Sequence, residues 1–412
     1  MEEWKEYKLE EIGTIVGGAT PSTKEPQNYD GNISWITPKD LSNYSGRYIS
    51  RGERMITSEG YNSCSCKMLP KGSVLFSSRA PIGYVAIASN ELCTNQGFKS
   101  VIPDGRFVDS TFLYYLLVYN KAMIEGLGSG TTFKEVSGNV MRNVVVKIPG
   151  LDTQKRISSI LSSLDDKIEI NRQINDNFVI EPFFEILLIW AITTLINDNL
   201  EQQGQALFEE YVMNLNKPRT QLLSDYALIN PTRTIAKGRA ARCIEMSSLP
   251  TKGTFPSDWT FKEYNGGMKF RNGDTIMARI TPCLENGKTA YINFLDENEV
   301  AFGSTEYIVL SAHEGFCSEL LYFLARYDDF VSYAVSHMNG SSGRQRVSGN
   351  DIANYVMPEI TNKTMDVVSE KLHGIMEVIK NNSLESRRLA EIRDALLPRL
   401  MSGELSVEEM NK

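Results

Sequence analysis

The apolar positions along this chain fall into two kinds of pattern, and each kind occurs twice. Phe112 to Tyr119 and Leu320 to Tyr327 carry apolar residues on one recurring face, which predicts helices. Short runs such as Val144-Val145-Val146 and Tyr307-Ile308-Val309-Leu310, separated by Gly, Pro and Asn turns, predict strands. Pro149 and Pro358 close these mixed regions, and beyond each the pattern changes. Met365, Val368, Leu372, Ile375 and Ile379 step alternately by three and four residues, as do Ile157, Leu161, Leu164 and Ile168, the spacing of a coiled-coil seam. Two such helices can bury their seams against each other. The same spacing also suits a core helix lying under its own domain.

Shared strings show that this alternation is a duplication. Val136-Ser137-Gly138-Asn139 recurs as Val347-Ser348-Gly349-Asn350, 211 residues on, each copy following a Gly/Ser-rich stretch. Upstream, Phe112-Leu113-Tyr114-Tyr115-Leu116 answers Leu320-Leu321-Tyr322-Phe323-Leu324, and Gly72-Ser73-Val74-Leu75-Phe76 answers Gly273-Asp274-Thr275-Ile276-Met277. The chain therefore divides into a mixed α/β domain over 1–150, a helical region over 151–217, a second such domain over 218–360 and a second helical region over 361–412.

One irregularity interrupts the first helical region. Ile174-Asn175-Asp176-Asn177 recurs as Ile196-Asn197-Asp198-Asn199, so an insertion of 22 residues, near 178–199, separates otherwise matched spacers. As continuous helix it would add about 33 Å. Pro182 breaks the helical hydrogen-bond ladder, which predicts a break near Val179 to Pro182 and a new helix from Pro182. The apolar run Phe183 to Ile192 carries Glu185 and falls short of the roughly 20 apolar residues of a membrane span. It is expected to pack locally or against a partner.

At 412 residues and 42% apolar content, the chain is long enough for two or more cores. Its net charge of −8 argues against binding DNA through bulk charge alone. By segment the balance is +1 over 1–150, −6 over 151–217, −2 over 218–360 and −1 over 361–412, so most of the acidity sits in the first spacer. An acidic helix belongs against a protein partner or in solvent, not against phosphates. Six scattered cysteines and three histidines give neither a disulfide framework nor metal-ligand spacing, so reduced, mostly buried thiols and no metal are expected. The stretch Met1 to Glu11 lacks the apolar core of a secretory signal, and a cytoplasmic location is expected.

Known nucleic-acid chemistries leave no motif here. The nearest approach to an adenine methyltransferase's Asn/Asp-Pro-Pro-aromatic string is Asn230-Pro231-Thr232-Arg233, which lacks the second proline and the aromatic. Gly126-Leu127-Gly128-Ser129-Gly130 follows a helical run instead of opening a helix after a strand, and no P-loop occurs.

The repeat, the helices and the segment Ile168-Glu169-Ile170-Asn171-Arg172-Gln173-Ile174-Asn175-Asp176-Asn177, followed by Leu200-Glu201-Gln202-Gln203 and Ala206-Leu207-Phe208, resemble the specificity subunits of type I restriction-modification systems. The resemblance spans essentially the whole chain and is strongest in the helical linkers and the order of parts. It implies an α+β fold: two target-recognition domains in tandem, each followed by a long helix, the helices pairing as an antiparallel coiled coil. It also implies that each domain reads one half of a split double-stranded DNA target, and that the helices dock two modification subunits, with restriction/motor subunits joining for cleavage. S-adenosylmethionine, ATP and Mg are then expected on those partners, with no cofactor, catalysis or membrane contact in this chain. The competing class is a stand-alone enzyme on nucleic acid with a pseudo-dimeric site. That would need a repeated carboxylate or nucleophile constellation, and none is found.

Sequence reading of DNA needs side chains that reach base edges, while hydroxyls and backbone amides hold phosphates. In the first domain the candidates are Thr20, Ser22 and Lys24 of a Gly-rich loop, Ser77, Ser78 and Arg79, and Thr131, Thr132 and Lys134. Their counterparts in the second are Arg233, Arg279, Arg344 and Arg346. Gly, Ser and Thr also populate ordinary solvated turns.

Overall fold

The computed structural model describes residues 4–42, 44, 46–79, 81–129, 134–175, 200–213, 219–341 and 344–407. The inserted stretch, with the expected break near Pro182, lies outside the described residues. The chain forms two compact units, Met1–Glu169 with Arg388–Lys412, and Ile170–Arg387.

In the first unit, a five-stranded sheet runs in the order Gly13–Gly17, Lys99–Pro103, Val74–Phe76, Val85–Ala88, Tyr48–Ile49. Alternation along the strands sorts its side chains onto two faces. Val74, Phe76, Ile87 and Val101 point to one face, where they pack with Phe112, Leu113 and Leu116 of the helix Ser110–Tyr119. Leu75, Ala86 and Ala88 point to the other, where they pack with Val16, Ile36, Leu92 and Phe98. Both faces are covered, which is why Val74-Leu75-Phe76 is continuously apolar. A smaller sheet places Tyr29–Ile36 between Met55–Ile56 and Cys93–Thr94, and the pairing of Trp35 with Cys93 is parallel.

The second unit repeats the plan. Its sheet runs Ala227–Ile229, Tyr307–Ala312, Asp274–Ala278, Thr289–Tyr291, the order of the first four strands above. Met277, Tyr291, Ile308 and Leu310 face the helix Ser318–Arg326, while Ile276, Ala290, Tyr307 and Val309 face away. The parallel contact of the smaller sheet recurs as Cys243 opposite Phe302. A two-stranded ribbon closes each domain, Lys5–Lys8 with Val145–Ile148 and Thr220–Leu222 with Val356–Pro358.

The repeated tetrapeptide has a mechanical explanation. Val136 and Val347 are fully buried. The next residue caps a short helix: Ser137 Oγ accepts from the Val140 amide at 3.2 Å, and Ser348 Oγ from the Asp351 amide at 3.1 Å. Asp351 answers Ser348 reciprocally, completing a capping box.

Both spacer helices are present, Leu151–Asn175 and Asn362–Met401. Much of each seam packs on a domain core. Ile157 and Leu161 belong to the first, and Val368, Leu372 and Ile379 to the second. The helices also pair with each other in antiparallel sense. Within the first unit, Ile157 and Leu161 share a core with Leu397 and Leu400, and Asp165, further along, meets Arg393 at 2.6 Å. Within the second, Asn171 Nδ2 donates to Glu385 at 2.8 Å. The helix Leu200–Phe208 is anchored by Glu201, which accepts from the Gly253 amide at 2.9 Å and from Tyr322 Oη at 2.5 Å. Gly204 lies under Phe323, where any β-carbon would sit 2.2 Å from the ring.

All six cysteines are free thiols, four of them buried. Among the described residues, no helix is long and apolar enough to cross a membrane.

Candidate nucleic-acid interface

Backbone and side chain together hold the first candidate loop, Gly17 to Lys24. Gly18 lies so close to the Thr94 carbonyl that a β-carbon would be 2.1 Å from it. The Ala19 carbonyl accepts from Trp35 Nε1 at 3.1 Å, and the Pro21 carbonyl from Tyr29 Oη at 2.8 Å. Thr20 is half-buried and donates to the Gln96 side-chain oxygen, whereas Ser22 and Lys24 are exposed.

Two sequence candidates in the next loop prove to be interior. Ser77 and Ser78 have no exposed surface. Ser77 Oγ donates to the Pro81 carbonyl and accepts from the Tyr84 amide, both at 2.8 Å, and Ser78 Oγ donates to the Gly97 carbonyl at 3.2 Å. These hydroxyls shape the loop and are unavailable to a phosphate. Arg79 is exposed, and its Nε lies 3.0 Å from Glu135.

Arg233 is also displaced from the expected role. Its side chain is 9% exposed, with Nη2 2.6 Å from Asp274 and 3.1 Å from Ser311 Oγ. Burial pushes the Asp274 carboxyl up and the Arg233 guanidinium down from their ordinary values, and the charge of each opposes the shift of the other. A guanidinium spent on a buried carboxylate does not reach DNA.

Arg79, Lys134, Arg279, Arg344 and Arg346 gather at one structural feature, built twice. Ser129 and Glu135 exchange backbone hydrogen bonds of 3.0 and 2.9 Å, closing the base of a loop, and the Val136 amide donates to the Ser78 carbonyl at 2.9 Å. Asn339 and Arg346 exchange the same pair at 2.9 and 3.0 Å, and the Val347 amide donates to the Arg279 carbonyl at 3.0 Å. Glu135 and Arg346 thus occupy equivalent places, and so do Ser78 and Arg279. Lys134 in the first loop and Arg344 in the second are exposed, while Thr131 and Thr132 lie outside the described residues.

The charges around these loop bases are not equivalent. Glu135 is gripped by Arg79 at 3.0 Å and Lys99 at 3.5 Å. Arg346 instead places Nε and Nη2 on the Glu306 carboxylate, at 2.8 and 2.7 Å. Those hydrogen bonds hold the Glu306 carboxyl below its ordinary value against its burial, with the nearby charge of Arg279 adding to them. Arg279 is half-buried, and among the described residues its buried Nε has no hydrogen-bond partner. Lys99, Glu135 and Glu306 were not among the sequence candidates. The signal was available, since Glu135 and Arg346 immediately precede the two copies of the repeated tetrapeptide with opposite charge.

Comparison with known proteins places this architecture. The family described as Type I restriction modification DNA specificity domain matches residues 1–177. The chain is 34% identical to the type I restriction enzyme MjaIX specificity subunit of Methanocaldococcus jannaschii, an alignment covering 99% of this chain and 95% of that one. It is 22% identical to the type I restriction enzyme HindI specificity subunit of Haemophilus influenzae, over 98% and 100% of the two chains. The crystal structure of the type I restriction-modification system S subunit from M. genitalium superposes with a TM-score of 0.54 at 14% identity, covering 97% of this chain and 96% of that one, which shows the fold. With identity at this level sustained from end to end, and with two copies of one domain joined to paired helices, the chain belongs to the specificity subunits of type I restriction-modification systems.

Proposed function

We propose that the chain reads a split double-stranded DNA target, residues 1–150 serving one half and 218–360 the other, and performs no chemistry itself. The observation that carries this reading is the repeated loop platform with different side chains at equivalent places. Lys134 falls opposite Gln345, beside the exposed Arg344. One scaffold with two sets of polar termini suits two different half-sites. The exposed Ser22 and Lys24 supply further donors for phosphates or base edges. Sequencing the modified bases of a host carrying this chain and its modification subunit is expected to reveal a target of two short blocks separated by a fixed gap. A continuous target would overturn the reading.

Partner subunits supply the remaining activities in this proposal. Two modification subunits dock on the spacer helices and bring S-adenosylmethionine, and restriction/motor subunits bring ATP and Mg. The −6 balance of the first spacer suits a protein surface, and the near-neutral domains, at +1 and −2, carry no bulk positive charge to attract phosphates. At one fixed salt concentration, the isolated chain is therefore expected to bind its target at least about tenfold more weakly than the assembled complex, the scale of a few lost phosphate contacts. Equal affinities would remove the argument, and turnover by the chain alone with DNA, Mg and S-adenosylmethionine would favour the stand-alone enzyme.

A further inference from the structure

We propose that Arg79, Lys99 and Glu135 in the first domain and Arg279, Glu306 and Arg346 in the second are equivalent loop latches. They are positioning devices that hold each recognition loop by an ion pair of either polarity. This rests on the reading of those loops as DNA-facing.

Three observations converge on a latch. The two loops are closed by the same reciprocal backbone pair, and the residue that closes each, Glu135 or Arg346, carries the ionic side chain. Both clusters contain two cations and one carboxylate, so their net charge is equal although the sign on the loop residue is reversed. The partners come from adjacent positions of the same neighbouring elements, one and two residues out of register between the copies. Arg79 follows Ser78, the equivalent of Arg279, while the Gly97 carbonyl accepts from the Ser78 amide as the Glu306 carbonyl accepts from the Arg279 amide.

A residue whose task was to contact a phosphate could not reverse its sign between copies, since a carboxylate there would be repelled. A residue whose task is to bind the loop base to its neighbour can, because an ion pair is indifferent to which side carries which charge. Direct hydrogen bonds accompany the charge attraction in the second copy, where the guanidinium grips one carboxylate through two nitrogens. The first copy reaches a similar grip with two separate cations.

The test uses the full chain assembled with its modification subunits. Glu135→Gln is expected to speed amide hydrogen exchange at Ser129 and Glu135 about fivefold, the scale of one half-exposed ion pair. Discrimination between the intact and an altered first half-site is expected to fall by a similar factor, with the second half-site unaffected. The reversed double variant, Arg79→Glu with Glu135→Arg, should restore both readouts. Unchanged exchange together with tighter DNA binding by the Glu135→Gln variant would overturn the latch, because the carboxylate would then act only as a charge facing phosphates. Faster exchange with intact discrimination would leave the latch standing and overturn the reading of the loop as a recognition loop.

Discussion

A chain lacking residues 388–412 is expected to lose the fold of its first recognition domain while keeping that of the second. Leu397, Leu400, Met401 and Val407 are 8% exposed or less, and they lie in the core that also contains Leu9, Ile12, Ile157 and Leu161. Burying one such side chain contributes about 1.5 to 3 kcal/mol, so removing four withdraws about 6 to 12 kcal/mol. That equals the whole stability of an ordinary domain, about 5 to 15 kcal/mol. The loss is compounded because Asp165 is left without Arg393, and Trp4 without its packing against Gly403. Hydrogen exchange or limited proteolysis on the truncated chain would reveal it, with protection lost over 4–169 and retained over 219–360. Native-like protection of 4–169 would refute the prediction.

The second large effect centres on one carboxylate. Asp165 lies 14% exposed between two donors, Tyr115 Oη at 2.5 Å and Arg393 Nη1 at 2.6 Å, with the Arg47 guanidinium 3.7 Å away as an ion-pair partner. Burial, reinforced by the Asp165 charge, holds the Tyr115 hydroxyl above the ordinary tyrosine range. Arg47 keeps Asp166 at 2.6 Å and Arg393 keeps Asp394 at 2.7 Å, so neither cation is stranded outright when Asp165 is removed. Asp165→Ala is expected to destabilise the first unit by about 3 kcal/mol, the lower end for breaking a buried pair. With a urea slope of about 2 kcal/mol per molar, the midpoint should fall by about 1.5 M. A double-mutant cycle with Arg393→Ala should show a coupling above about 1 kcal/mol. A change below about 0.5 kcal/mol for Asp165→Ala would mean that solvent replaces the carboxylate.

The repeat, both spacer helices and their seams were legible in the sequence because local periodicity and strings of adjacent residues encode them. Val136-Ser137-Gly138-Asn139 combines one buried side chain with one helix cap, so both copies keep it whatever the loops read. What was not legible depends on residues distant in the chain. Ser77 and Ser78 have the composition of a turn, and only the closing of Tyr84 and Gly97 over them makes them interior. Arg233 looked free because its carboxylate, Asp274, lies 41 residues further on. The counter-charges at the loop bases come from strands and loops that no local window joins. The C-terminal helix carried a readable seam, yet its last turns belong to the unit that begins at Met1.

That last feature sets a schedule for synthesis. The first domain's core contains residues from Leu9 to Val407, so it cannot close until Val407 has left the ribosome. At elongation rates of about 5 to 20 residues per second, residues 170–387 take about 10 to 40 seconds to make. Throughout that interval Leu9, Ile12, Ile157 and Leu161 lack their C-terminal partners. A message cut short would therefore yield a first domain with an open apolar core, open to proteases and chaperones.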